Sequence, residues 1–179
     1  MSGIFGMNIK MAIYGESHGK SIGVVLDGLP PGLALDEAAI AAEMARRAPG
    51  QNALSTARKE SDTVEIQSGF FNGFTTGTPL CARIVNSDQH SKDYSILADK
   101  MRPGHADYAG HVRYQGFNDY RGGGHFSGRL TAPLVFAGAV AKQALAQYGI
   151  VVGSHILQIN DIKEERFNPM GVSDKVLAE

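Results

Sequence analysis

Glycine sets the tightest limit on what this chain can fold into. Its 22 glycines among 179 residues gather in clusters, around Gly15 and Gly19, Gly28 and Gly32, Gly69 to Gly77, and Gly122 to Gly124, with no fixed period. A collagen-like or low-complexity chain would show a repeat or a biased tract, so both are excluded. Clusters of this kind mark loops where the backbone turns sharply or lets another group come close.

Between the clusters run the periodicities of strands and helices. Ile9 to Tyr14 and Ser21 to Leu26 are apolar, partly β-branched and bounded by glycine, which predicts two strands around the loop Gly15-Glu16-Ser17-His18-Gly19. Asp36 is placed to cap a helix whose Ala39, Ile40, Met44 and Ala45 follow helical spacing, with Arg46-Arg47 in its last turn and Pro49-Gly50 ending it. Thr63 to Gln67 and Pro79 to Val85 read as further strands, joined through Gly69, Gly73 and Gly77 in an antiparallel hairpin or meander. Residues 86 to 126 hold Asp, His, Tyr, Arg and Gly in quantity without a sustained apolar period, which predicts one long functional loop or several short ones. From Gly128 to Tyr148 the pattern is that of a buried helix, with Pro133 near its first turn and Gly149 as its stop. Ile150 to Ile159 is expected as a final strand and Ser173 to Ala178 as the start of another helix. With 43% hydrophobic residues the chain supports one sizeable core, so a single α+β domain over residues 1–179 is expected.

Charge and cysteine narrow the functional classes. The 17 basic and 18 acidic residues nearly cancel, so no general affinity for nucleic acid or an anionic membrane is expected, and any anion binding must be local. Cys81 is alone, which excludes an intramolecular disulfide and fits a reducing compartment; in its apolar run it reads as a small buried hydrophobe. Met1 to Lys10 lacks the charged start and long apolar stretch of a signal peptide, and no run is long enough to span a bilayer, so the cytoplasm is the expected location. His18, His90, His105, His111, His125 and His155 form no HExxH pair and have no cysteine partners, so no metal site is expected.

Three constellations carry chemistry. Gly15-Glu16-Ser17-His18-Gly19 matches GxSxG, but a nucleophile elbow needs a helix after it and usually several strands before it. Here a β-like segment, Ile22 to Leu26, follows and only 14 residues precede. The glycines instead can project Ser17 and His18 from a tight turn into a pocket, against the plainer reading of a surface histidine in a flexible loop. Arg102-Pro103-Gly104-His105-Ala106-Asp107-Tyr108 puts a cation, an imidazole and a carboxylate on a rigid turn, as an anionic substrate meeting an acid–base group requires; Asp107 either orients His105 or caps the following turn. Arg121-Gly122-Gly123-Gly124-His125-Phe126-Ser127-Gly128-Arg129 leads into the long helix with free backbone N–H groups, a phosphate cradle by composition. It is neither a Walker loop nor a GxGxxG fingerprint, and the helix that follows weighs against a mere linker.

Taken in order, Gly15-Glu16-Ser17-His18-Gly19, Asp27-Gly28-Leu29-Pro30-Pro31-Gly32, Arg46-Arg47, Arg58 with Glu60 and Asp62, Thr75-Thr76-Gly77-Thr78, Asp93-Tyr94, Arg102 to Tyr108 and Asp119-Tyr120-Arg121-Gly122-Gly123-Gly124 resemble the N-terminal half of the chorismate synthases, over residues 7 to about 160. The resemblance implies a layered β-α-β sandwich and the 1,4-elimination of phosphate from 5-enolpyruvylshikimate 3-phosphate to give chorismate, with reduced FMN required. It leaves open whether NADPH or an outside source reduces the flavin. It implies His18 and His105 as the catalytic histidines, Arg47, His125, Phe126 and Ser127 at the cofactor, and Ser17, Arg58, Arg102, Arg121 and Arg129 at the substrate and its phosphate. His125 and Phe126 stand where many members have Arg and Ser, exchanging a fixed cation and a hydroxyl for a titratable ring and an apolar one. The resemblance also implies a cytoplasmic homotetramer acting on a small molecule, with no nucleic acid or membrane partner. Because family members are longer and carry further flavin loops, the alternative is a non-catalytic fragment that keeps the fold and part of the flavin and phosphate binding.

Overall fold

The computed structural model describes residues 4–48, 62–87 and 99–166. The chain divides into two compact units, residues 1–140 and 141–179. The first is built on a five-stranded sheet of order β1-β2-β3-β7-β4, antiparallel at every pairing. Its strands are β1 (Ile4–Phe5), β2 (Lys10–Gly15), β3 (Ser21–Asp27), β4 (Val64–Ser68) and β7 (Leu80–Val85). β5 (Phe70–Phe71) and β6 (Phe74–Thr75) form a small separate hairpin between β4 and β7, as the glycines there predict.

Strand alternation decides where the core lies. Ile22, Val24 and Leu26 of β3 pair with Ile84, Ala82 and Leu80 of β7, and all six are buried. Val64 and Ile66 of β4 continue that face through their pairing with Ile84 and Ala82. They share a cavity of about 270 Å³ with Ile40 and Met44 of α1 (Glu37–Arg47) and Phe136 of α3 (Thr131–Ala146), so the two helices lie over this face. The opposite face is only half-covered, with Tyr14, Val25, Cys81 and Arg83 all intermediate; Cys81, expected as buried, is among them. Gly23 lies opposite Tyr14 on this face, and the Tyr14 hydroxyl donates to Ala82 O at 3.3 Å. A Cβ at Gly23 would sit 2.3 Å from that hydroxyl, so the ring occupies the space a side chain would need.

The helix signals operate as the sequence implies. The Asp36 carboxylate accepts from the Ala38 and Ala39 N–H groups at 2.8 and 3.1 Å, a cap worth about 1 kcal/mol. Pro49-Gly50, Arg58, Asp93-Tyr94 and the segment 173–178 lie outside the described residues. Residues 128–130 form a 3-10 turn before α3, which places Pro133 in the first turn of that helix. Within 99–126, expected as loop, a short helix α2 (Asp107–Arg113) and a 3-10 segment, Arg121–Phe126, are found. Neither needs an apolar period, because each is too short to have buried a continuous stripe.

In the second unit α3 ends in a Schellman pattern: Ile150 N–H donates to Leu145 O at 3.2 Å and Gly149 N–H to Ala146 O at 3.0 Å, with Gly149 at φ +69°. The strand expected over Ile150 to Ile159 is not formed. Residues 150–157 are irregular and exposed, and only β8 (Gln158–Ile159) pairs, with β9 (Ile162–Lys163). An apolar run becomes a strand only when a ladder partner is present, and among the described residues this one meets none longer than that hairpin. No helix of the described residues is long and apolar enough to cross a membrane.

Candidate functional site

The loop between β2 and β3 is a β-turn. Gly19 N–H donates to Glu16 O at 3.0 Å, which puts Ser17 and His18 at its two corners. Corner residues of a hairpin turn ordinarily face water, yet Ser17 and His18 are only 2% and 6% exposed. The cover is the glycine-rich segment 122–124. Ser17 N–H donates to Gly124 O at 3.0 Å, and a Cβ at Gly122 would lie 2.5 Å from His18 Cδ2, 2.6 Å from its Nε2 and 3.2 Å from Ser17 Oγ. Gly122, Gly123 and Gly124 have φ of 57, 83 and 55°, which glycine alone adopts without strain. A strand, not a helix, follows the GxSxG match, so the geometry of a nucleophile elbow is not formed.

Arg102 to His105 is a second tight turn, with Pro103 and Gly104 at its corners and Gly104 at φ +78°. Asp107 neither caps α2, whose N-cap is Ala106, nor simply orients His105; it grips Arg102. Its carboxylate accepts from Arg102 Nε at 2.8 Å, from the second guanidinium nitrogen at 3.0 Å and from the Arg102 backbone N–H at 3.1 Å. The Arg102 hydrogen bond holds the Asp107 carboxyl below its usual range, against the opposing effect of burial, with the nearby His105 adding to the lowering. His105 itself is exposed. A cavity of about 130 Å³ opens between Arg102, His105, Asp107, Gly122, Gly123 and Ser127. Gly122 is therefore a shared wall, with the His18 imidazole against one side and the cavity of Arg102 and His105 on the other.

A larger cavity of about 360 Å³ is lined by Glu16, Tyr114, Phe117, Asn118, Asp119, His125 and Phe126, and Phe126 also borders the smaller one. The Phe126 ring stands 6.0 Å from that of Tyr114 and fits against α2 only because Gly110 has no Cβ, which would lie 2.8 Å from the ring. His125 Nδ1 lies 2.8 Å from Gly15 O. A carbonyl can only accept, so Nδ1 carries the proton and Nε2 of the neutral ring is left as an acceptor. Asp119 binds Arg121 as Asp107 binds Arg102, accepting from Nε at 2.9 Å, from a second guanidinium nitrogen at 2.6 Å and from the backbone N–H at 3.0 Å. That hydrogen bond lowers the Asp119 carboxyl, with the charge of His18 a smaller contribution, and raises Arg121 in turn.

Two further arginines expected at the cofactor or phosphate, Arg47 and Arg129, meet at Asp62. Arg129 is 5% exposed, pairs with the Asp62 carboxylate and donates from Nε to Asn86 Oδ1 at 3.1 Å. Arg47 pairs with the same Asp62 and donates from Nε to Thr131 Oγ1 at 3.3 Å. Through Asp62 and Thr131 they tie the end of α1 to the start of α3. Ser127 does border the small cavity, and its hydroxyl accepts from Arg129 N–H at 3.3 Å. Asn86, Tyr114, Phe117, Asn118 and Asp119 were not singled out as site residues from sequence. The aromatic spacing of Tyr114 and Phe117 and the position of Asp119 two residues before Arg121 were the available signals. Among the described residues no cluster of three His, Cys, Asp or Glu side chains could hold a metal ion.

Comparison with known proteins bears on this arrangement. The family model described as chorismate synthase matches residues 9–179. The chain is 51% identical over 164 residues to a chorismate synthase of Sulfurimonas denitrificans, covering 92% of this chain and 46% of that protein. It is 48% identical over 163 residues to one of Cytophaga hutchinsonii, covering 91% and 45%. A crystal structure of chorismate synthase superposes with a TM-score of 0.65 at 32% identity, covering 88% of this chain and 40% of that one. The chain thus spans about half the length of the curated relatives it matches.

Proposed function

Since the chain belongs to the chorismate synthase family, we propose that its site takes part in the 1,4-elimination of phosphate from 5-enolpyruvylshikimate 3-phosphate to give chorismate. In that reaction the bond from ring carbon to phosphate oxygen breaks, a ring C–H proton leaves and a new double bond forms, with no net oxidation. The observation that carries the reading is the wall at Gly122, which sets one histidine behind a cavity that holds the other beside the paired Arg102 and Asp107.

The chain's own residues divide the work. Arg102, locked by Asp107, faces the small cavity together with Ser127 and the backbone of Gly122 and Gly123, a donor set suited to phosphate oxygens. His105, exposed at the same cavity, is placed to hand a proton to the departing phosphate. His18, packed against Gly122, is placed to serve as the second proton-transfer group. Arg47, Arg121 and Arg129 act through their carboxylate partners, fixing the loops that carry these groups.

The larger cavity fits the planar ring of a flavin, with Tyr114, Phe117 and Phe126 as aromatic walls and Asn118 and His125 as hydrogen-bonding edges. It does not fit the flavin's phosphate, because Glu16 and Asp119 place carboxylates there. Bound at this position, reduced FMN would supply electron density transiently to the elimination.

A second reading has its own support. A chain about half the length of its relatives can keep the fold and the anion site without turnover. Titration of the purified chain with 5-enolpyruvylshikimate 3-phosphate and reduced FMN, followed by a chorismate assay, separates the two. Binding with little or no chorismate supports the fragment reading, chorismate formation supports the enzyme, and absence of substrate binding, or binding unaffected by Arg102→Ala, removes the assignment of the small cavity. The homotetrameric, cytoplasmic state belongs to the same proposal, and the mass in solution tests its first part.

A further inference from the structure

His18 and Ser17 lie beyond the end of the β2–β3 ladder, whose last pair is Gly15 with Ile22. Ladder hydrogen bonds therefore do not fix the turn that carries them. Asn86 stands one residue past the end of β7, 6% exposed, with its N–H donating to Lys20 O at 3.2 Å. Its side-chain amide spans the turn: Nδ2 donates to Glu16 O at 3.0 Å and to Gly19 O at 2.8 Å. These are the first and last residues of the turn, so one amide grips both sides of the Ser17-His18 pair.

The orientation of that amide is itself determined. Arg129 Nε donates to Asn86 Oδ1, and a flipped amide would set Oδ1 against two carbonyl oxygens and the NH₂ against the guanidinium N–H. Arg129 is in turn held by the buried Asp62, which also binds Arg47. A single hydrogen-bonded chain thus runs from α1 and the start of β4 through Arg129 and Asn86 to the turn of His18.

We propose that Asn86 is a positioning residue for His18, acting by clamping the turn Glu16 to Gly19 through its side-chain NH₂, with Arg129 setting the direction of the clamp. The benefit of this to the elimination rests on the functional reading above; the clamp does not, so the two fail separately.

Asn86→Asp is the discriminating change, because a carboxylate keeps the acceptor for Arg129 and loses both donors to the turn. In amide hydrogen exchange on the 179-residue chain, Gly19 and Ser17 N–H should exchange about ten-fold faster or more in the variant, the effect of losing one or two buried hydrogen bonds locally. Val24 and Ile84, in the ladder of β3 and β7, should be unchanged, and the His18 ring signals, assigned by their loss in His18→Gln, should shift. A uniform acceleration of turn and ladder would mean that Asn86 only stabilises the fold, and unchanged exchange at Gly19 would mean that the donors are not needed. Either result overturns the proposal. Should the buried carboxylate prevent folding, Asn86→Ala removes the same donors without a charge and is read by the same pattern.

Discussion

Gly122→Ala tests the packing at the centre of the site. The residue sits at φ +57° and ψ 23°, in the left-handed region, where a Cβ costs about 1–2 kcal/mol. The new methyl would also lie 2.5 Å from His18 Cδ2 and 2.6 Å from its Nε2, closer than carbon and nitrogen can pack. His18 is buried and its turn is held on both sides, so it cannot swing into water without loss; overpacking of that kind adds about 1–3 kcal/mol. The expected destabilisation is therefore about 2–5 kcal/mol, from the two contributions together. Gly32→Ala is the control, since Gly32 has φ +79° and nothing within 4 Å of its missing Cβ, so it bears only the conformational cost. Urea unfolding of the two variants, with His18 ring signals followed by NMR, measures the difference. If the two variants lose equal stability and the His18 signals stay in place, the Gly122 wall is not what buries His18, and the site as described is wrong.

Asp62→Asn should cost about 3–5 kcal/mol in urea unfolding, because it leaves the Arg47 and Arg129 guanidinia facing each other across a neutral amide; a loss under about 1 kcal/mol would show that the pair is not carrying the junction of α1 and α3. The carboxyls of Asp107 and Asp119 are both lowered from 3.8 in the folded chain, chiefly by their arginine hydrogen bonds, so the native state takes up protons less readily than the unfolded one. Their stabilisation is fully present above about pH 4 to 5 and is lost as pH falls through the lowered values. Asp119→Asn should accordingly be less stable than the parent at neutral pH and converge with it as pH falls below the usual carboxylate range, and a gap that stays constant with pH would contradict the assignment.

The sheet and helices were legible because their signals are local. Alternation in Ser21 to Leu26 and Pro79 to Val85 needs only the chain itself to be read, and Asp36 announces the start of α1 by its own side chain. The same logic misled over Ile150 to Ile159, whose composition is that of a strand but whose pairing depends on what lies beside it. In the site, spacing identified Ser17, His18, Arg102 and His105 as residues worth placing, while their neighbours came from far along the chain. Asn86, 67 to 70 residues away from the carbonyls it binds, has no motif of its own, and Gly122 could be read as a free N–H donor but not as the lid of a histidine.

Arginine shows most clearly why composition underdetermines a site. Five arginines, Arg47, Arg58, Arg102, Arg121 and Arg129, were singled out for the cofactor or the anionic substrate, and all but Arg58 lie among the described residues. Each of those four is paired with a carboxylate: Arg47 and Arg129 share Asp62, Arg102 has Asp107, and Arg121 has Asp119. A cation so partnered attracts an anion less strongly at a distance, and it is held in one orientation without having to order itself when the anion arrives. Recognition then depends on whether the remaining donors point into a cavity of the right size, not on how many positive charges surround it. Of the four described arginines, Arg102, with His105 and the backbone of Gly122 and Gly123, is the one that borders the smaller cavity. Asp107, which lowers the local positive charge, is also what makes that geometry definite.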